Sequence, residues 1–301
     1  MDRNFRAMLT ERQKKVNSLL CVGLDPLVEK IPEEFWKMKP VETVVFIWMK
    51  AIVDVTAPFA SMFKFQRAHW EAISGGIGAM RQLIAYIHLQ YPDIPVFLDC
   101  KRGDIDRTQR QYREAHFTLD GVDGMNYNGY MGKDTLRSLV DKEHLGRALV
   151  GLGRTSNPEA WEIQNLEVHQ YMRQPHALWE VMVERIVAWS EEFGVLENAG
   201  VVMGAAYKSM KKDSEEIVSY HLERARELVG NKLWFLIPGI GKQGGAVEET
   251  VRASYRGPGS IAINSSSDID FASAGPDFAE ASARVAEKTR DALNKGIPKG
   301  Q

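Results

Sequence analysis

Two cysteines in 301 residues are too few for a disulfide framework, and both Cys21 and Cys100 sit in apolar, strand-like runs where a thiol behaves as a small hydrophobe. An excess of one charge is missing as well. With 38 basic against 40 acidic residues the formal net charge is -2, which supplies no long-range attraction to nucleic acid or an anionic membrane, so neither is expected as a partner. Any grip on an anionic ligand must therefore be local. No stretch approaches the roughly 18 apolar residues of a membrane span. The opening MDRNFRAMLTERQKKVN is charged throughout and has no apolar segment ahead of a small-residue cleavage site, so a cytoplasmic location is expected. Low-complexity tracts and Pro-, Gly- or Ser-rich linkers are also lacking, which argues against separate domains.

Apolar material is plentiful: hydrophobic residues make up 44% of the chain, enough for a sizeable core. Its distribution is periodic. Short apolar runs occupy residues 19–24, 61–65, 96–101, 124–128, 148–153, 200–205, 233–237 and 260–264, and segments with helical spacing fall between them, at 41–55, 78–90, 178–192, 215–229 and 247–255. A last helix is predicted over 277–295. This alternation predicts parallel strands joined by crossover helices, and eight units at this length predict a closed α/β barrel, the (β/α)8 or TIM barrel. An open doubly wound sheet would carry a G-x-G-x-x-G turn after its first strand, and none is present. The expectation is one domain over residues 1–301 with an N-terminal helical extension at about 1–18. The long connection over 157–174 is either a lid or an insertion.

In such a barrel the chemistry gathers at the C-terminal ends of the strands. The first run ends in Gly23-Leu24-Asp25-Pro26, the second contains Lys64, and the third ends in Asp99-Cys100-Lys101 with Asp104 just beyond. Alternation along a strand turns Asp99 and Lys101 toward the barrel mouth and Cys100 toward the helices. The pair reads either as a structural salt bridge or as an ionised carboxylate beside a protonated amine able to act as a general acid. Lys64 on the neighbouring strand favours the second reading, because alternating buried charges are expensive to keep without a task. Asp104 is either the N-cap of a helix over 105–117 or a further site carboxylate. After the seventh run, Pro238-Gly239-Ile240-Gly241-Lys242-Gln243-Gly244-Gly245 opens a predicted helix where backbone N–H groups can converge on phosphate, and the eighth ends in Asn264 and the serines after it. These residues point to an enzyme that handles a small phosphorylated substrate.

The run Leu98-Asp99-Cys100-Lys101-Arg102-Gly103-Asp104-Ile105-Asp106-Arg107-Thr108 resembles the complete D-x-K-x-x-D-I-x-x-T signature of the orotidine 5'-phosphate decarboxylases. Further segments are similar to the longer, bacterial-type (type 2) branch of that family: LLCVGLDP from Leu19, FKFQ around Lys64, YMG at Tyr130, RTSNP at Arg154, MGAAY at Met203 and PGIGKQGG at Pro238. The resemblance implies decarboxylation of orotidine 5'-phosphate to uridine 5'-phosphate and CO2 without metal or organic cofactor. It implies that Lys101 protonates C6, that Asp99 lies against the departing carboxylate, and that Lys64 and Asp25 hold the ribose and complete the charge array. It further implies a homodimer in which Asp104, Ile105 and Thr108 reach the partner's site, with Ser156 reading the pyrimidine and Gln243, Gly244 and Gly245 holding the phosphate. One departure is plain: Asn264-Ser265-Ser266-Ser267-Asp268-Ile269 stands where the family has a pattern like N-S-S-R-G-I, so the phosphate-clamping arginine is replaced by Ser267. Lys242, Arg154 and Arg256 are the candidates to compensate. Two other readings stay open: a magnesium-dependent sugar-phosphate decarboxylase or isomerase of the same barrel superfamily, and a catalytically degenerate nucleotide-binding barrel.

Overall fold

Each apolar run becomes a strand: β1 (Leu20–Gly23), β2 (Met62–Gln66), β3 (Val96–Arg102), β4 (Gly124–Tyr127), β5 (Ala148–Arg154), β6 (Gly200–Met203), β7 (Trp234–Ile237) and β8 (Ile261–Ser265). The structure is a computed structural model that describes residues 3–37, 40–169, 176–209, 214, 216–240 and 246–298. All eight strands are parallel and pair in chain order, and β8 closes on β1 with Leu20 opposite Ile263 and Val22 opposite Ser265. The result is a single closed barrel ringed by helices, as the alternation predicts.

The main helices are α1 (Phe5–Val16), α2 (Val41–Thr56), α3 (Gly76–Gln90), α4 (Asp106–Arg113), α5 (Leu178–Glu192), α6 (Tyr220–Val229), α7 (Ala246–Ser254) and α8 (Phe278–Lys295). Two expected helices differ in extent, and the long connection is structured. Residues 217–218 pair with Tyr207–Lys208 as a small antiparallel ribbon, so the helix expected from 215 begins only at Tyr220. The helix expected over 105–117 is α4 followed by a π-helical stretch, Glu114–Leu119. In the connection over 157–174, the described part has structure of its own: a short helix Trp161–Gln164, and Glu167–Val168 paired with His176–Ala177.

Period-2 alternation sorts the strand residues into two cores. Leu98, Met125, Leu149, Val201, Phe235 and Ile263 face outward into the layer beneath the helices. Met62, Phe97, Ala148, Val150, Val202, Trp234, Leu236 and Ala262 face inward. Helix α1 seals the N-terminal end of that interior: Phe5 stacks on Trp234 at a centroid distance of 5.1 Å and meets Phe97 edge-on at 6.1 Å, with Leu9 beside it. Gln13 fixes the plug, donating to the Ile261 carbonyl and accepting from the Gly259 N–H, each at 2.7 Å. With that end filled by apolar side chains, the open mouth at the strands' C-terminal ends is left to the polar residues.

Candidate active site

Four charged side chains alternate in sign across the ends of three adjacent strands. Lys64 projects from β2, opposite Gly23 of β1, and its Nζ lies 3.3 Å from both Asp25 oxygens and 3.9 Å from Asp99 Oδ2. Lys101 Nζ donates to Asp99 Oδ1 at 2.6 Å. Asp25, Lys64, Asp99 and Lys101 are thus brought together as the sequence predicts. Lys64 is nearly inaccessible, with 4% of its side chain exposed, whereas 46% of Lys101 is open to the mouth. The outer ammonium can reach a ligand; the inner one is fixed between two carboxylates.

Burial opposes charge on Lys64, but Asp25 and Asp99 more than offset it and hold its pKa above the usual lysine value. Burial likewise opposes charge on Asp99, and Lys64, Lys101 and a hydrogen bond from Asn126 outweigh it, so its pKa falls below the ordinary carboxylate range. Lys64 and Asp99 thus hold one another in their charged forms at the centre of the array.

Two amides absent from the sequence-based candidates support Asp99. Asn126 Nδ2 donates to its Oδ1 at 2.7 Å and Gln66 Nε2 to its Oδ2 at 3.2 Å. Asn126 has a second function. Its Oδ1 accepts the backbone N–H groups of Cys100 and Lys101, at 2.8 and 2.6 Å, where β3 loses register with β4 and Lys101 takes a left-handed φ of 45°. A non-glycine residue in that region stores strain, and the amide holds the bend that aims Lys101 back at Asp99. The sequence signal for Asn126 is a polar residue at an inward position of an otherwise apolar strand.

Behind β3, Arg102 donates to His116 and Glu71, while Asp120 accepts from Arg67 and Arg81 and bonds His116. This network ties the strand end to the π-helical stretch. Asp104, in contrast, makes no ion pair with the array of its own chain among the described residues. It does not cap α4 either: Ile105 is the N-cap residue, and Asp104 Oδ1 accepts from the Ile105 N–H, at 2.7 Å. Ile105 and Thr108 are exposed.

Across the mouth, Ser156 after β5 is exposed and lines a cavity of about 390 Å³ with Arg154, Ala205, Tyr207 and Gly239. Gly239 has φ of 104°, and a Cβ there would lie 3.3 Å from Ser156 Cβ, so the turn after β7 approaches β5 closely because it carries no side chain. Asn264 on β8 donates to Ser266 Oγ at 3.0 Å, and Gly23 packs directly against that serine. Lys242, Gln243, Gly244 and Gly245 lie outside the described residues. Arg256 is ruled out as a replacement clamp, because it precedes β8, with its N–H bonded to Ser260 Oγ at the opposite end of the barrel. No group of three or more potential metal-ligating His, Cys, Asp or Glu side chains occurs among the described residues, and no helix there is long and apolar enough to cross a membrane.

Comparison with known proteins agrees with this geometry. Residues 18–272 match the family described as Orotidine 5'-phosphate decarboxylase / HUMPS family. The chain is 36% identical over 293 residues to an orotidine 5'-phosphate decarboxylase of Ralstonia nicotianae, covering 97% of this chain and 98% of that one. A relative of the same name from Aromatoleum aromaticum is also 36% identical over 293 residues, covering 97% and 99%. Among solved structures, Leishmania donovani OMP decarboxylase superposes with a TM-score of 0.72 at 27% identity, covering 96% of this chain and 98% of that one. Leishmania donovani UMP synthase gives 0.74 at 28% identity over 97% of this chain, which spans 56% of that longer protein. By its fold, its alternating charge array and these relatives, the chain belongs to the orotidine 5'-phosphate decarboxylase family.

Proposed function

We propose that this protein is a carboxy-lyase that converts orotidine 5'-phosphate to uridine 5'-phosphate and CO2 in pyrimidine nucleotide synthesis, with Lys101 as the proton donor. The observation that carries the reading is the Asp25–Lys64–Asp99–Lys101 array, ending in an accessible ammonium 2.6 Å from a buried carboxylate. In this reaction the bond from C6 to the carboxyl carbon breaks, its electron pair stays on C6, CO2 departs, and a proton from Lys101 Nζ completes the product.

Asp99, kept ionised by its two lysine neighbours, faces the substrate carboxylate and disfavours it relative to the neutral CO2 that leaves. Lys101 stabilises the negative charge that builds on C6. These are preorganised electrostatic effects, whose dipoles and charges need no rearrangement during the step. Asp25 and Lys64 hold the ribose hydroxyls, Ser156 reads the base, and Asn264 with the loop containing Gln243, Gly244 and Gly245 receives the phosphate. Those remote contacts supply binding energy that keeps the reacting carbon against the array. No metal or organic cofactor takes part.

The enzyme works as a cytoplasmic homodimer in which Asp104, with Ile105 and Thr108, completes the partner's site. In support, Asp104 is not engaged by the array of its own chain and Ile105 is 46% exposed. The test follows the fall in ultraviolet absorbance as orotidine 5'-phosphate is consumed, with EDTA present. Turnover is expected to persist in EDTA and to drop by at least about a thousandfold in Lys101→Ala. Magnesium-dependent turnover, or full activity in the variant, overturns the proposal.

A further inference from the structure

Asp270 ends the short helix Ser267–Asp270 that follows β8, and only 1% of it is exposed. Its Oδ2 accepts the backbone N–H of Asp25 at 3.0 Å. Its Oδ1, also buried, has no hydrogen-bond partner among the described residues. Asp25 in turn accepts the Gln66 N–H at 2.9 Å and receives Lys64, so the main chain held by Asp270 carries the carboxylate at the inner end of the array. One ammonium, Lys64, already serves Asp25 and Asp99. A third anion beside it, buried and without an ion pair of its own among the described residues, would be strongly disfavoured.

We propose that Asp270 is a positioning residue for the Asp25–Lys64 pair: an uncharged carboxylic acid that fixes the Asp25 backbone from behind without adding negative charge. The inference rests on the reading of Asp25 and Lys64 as groups that hold the substrate. Burial first, and then the charge of Asp25, push Asp270 well above the usual carboxylate range, against the pull of the Asp25 N–H and Lys64. Asp99, Asp120 and Asp123 are shifted the other way. The charged groups acting on Asp270 are Asp25, from the turn after β1, and Lys64, from β2; α8, packed on the short helix, contributes Ser282, which donates to the Ile269 carbonyl at 2.7 Å. Asp268 is the other acid on the same element near it. As pH rises toward the raised value, a proton leaves, a second anion appears behind Asp25, and the grip on substrate loosens.

Two measurements test this. Infrared spectroscopy of the whole protein at neutral pH is expected to show a protonated-carboxyl C=O band that Asp270→Asn abolishes. In steady-state assays, Asp270→Ala is expected to raise KM about tenfold with a smaller effect on kcat, whereas the isosteric D270N keeps KM within roughly threefold of the parent. D270N should also remove the alkaline rise in KM. Absence of the band in the parent protein, KM raised as much by D270N as by D270A, or an unchanged alkaline limb in D270N each overturns the proposal. If D270A does not fold, the band and the D270N pH profile decide. Should the parent protein fail to consume orotidine 5'-phosphate, the functional reading fails, while the band still tests the uncharged acid.

Discussion

Asn126 holds Lys101 in a backbone conformation that costs on the order of 1–3 kcal/mol, and it does so with the same side chain that supports Asp99. Removing it should release the bend and leave one Asp99 oxygen with a single donor. Asn126→Ala is therefore expected to lower kcat by roughly ten- to a hundredfold while the protein stays folded. The check is kcat beside a melting curve; an unchanged kcat would show that Lys101 finds its place unaided. Asp99 and Lys101 could be read from the sequence because charges two apart on an apolar strand must share a face. Asn126, Gln66 and Asp270 escaped that reasoning. Each acts through an atom brought near by another strand, and Asn126 and Gln66 leave only a local trace, as amides at inward positions. The alternation that placed Lys101 inward also passed over its left-handed φ, because a bulge depends on the partner strand's register.

At the level of elements, the strands were legible almost to the residue because each is a short apolar run between turns. The helix expected from 215 was not, because Ile217 and Val218 satisfy a helical pattern equally well but pair with Tyr207–Lys208. Below the barrel, Asp123 clasps three elements. Preceding β4, it accepts from Arg3 ahead of α1 at 2.5 and 2.7 Å, from the Val96 N–H at 2.9 Å, and from Arg147 ahead of β5. Burial opposes its charge, yet hydrogen bonds from His88 and Arg3 prevail and hold its pKa down at about 2. The folded value lies below the unfolded one, so the stabilisation is present above about pH 4 and is lost as pH falls through about 2. It amounts to roughly 2–3 kcal/mol. Denaturant titrations across that window should show the loss, and Asp123→Asn should be less stable at neutral pH with a flatter acid limb.

For the molecule as a whole, a barrel of this class and its mouth-facing site follow from eight strand–helix units, whereas subunit association leaves only faint traces in one sequence. On the proposed dimer, Ile105 belongs to the interface: it is a large apolar residue that stands exposed beside Asp104 just past β3. Ile105→Glu is expected to yield monomers in sedimentation at micromolar concentration and to reduce turnover by about a hundredfold or more, since each site would lose the partner's carboxylate. A dimeric, active variant would separate association from this surface.

The seam between β1 and β8 joins the two halves of the array's support: Asp25 follows the first strand, Asp270 the last. A ribosome making this chain releases Lys64, Asp99 and Lys101 early, but Asp270, which accepts the Asp25 N–H, emerges about 170 residues after Lys101. Nascent chains thus hold both lysines long before the Asp25 turn meets its buried partner, and the array's last support arrives with closure of the ring.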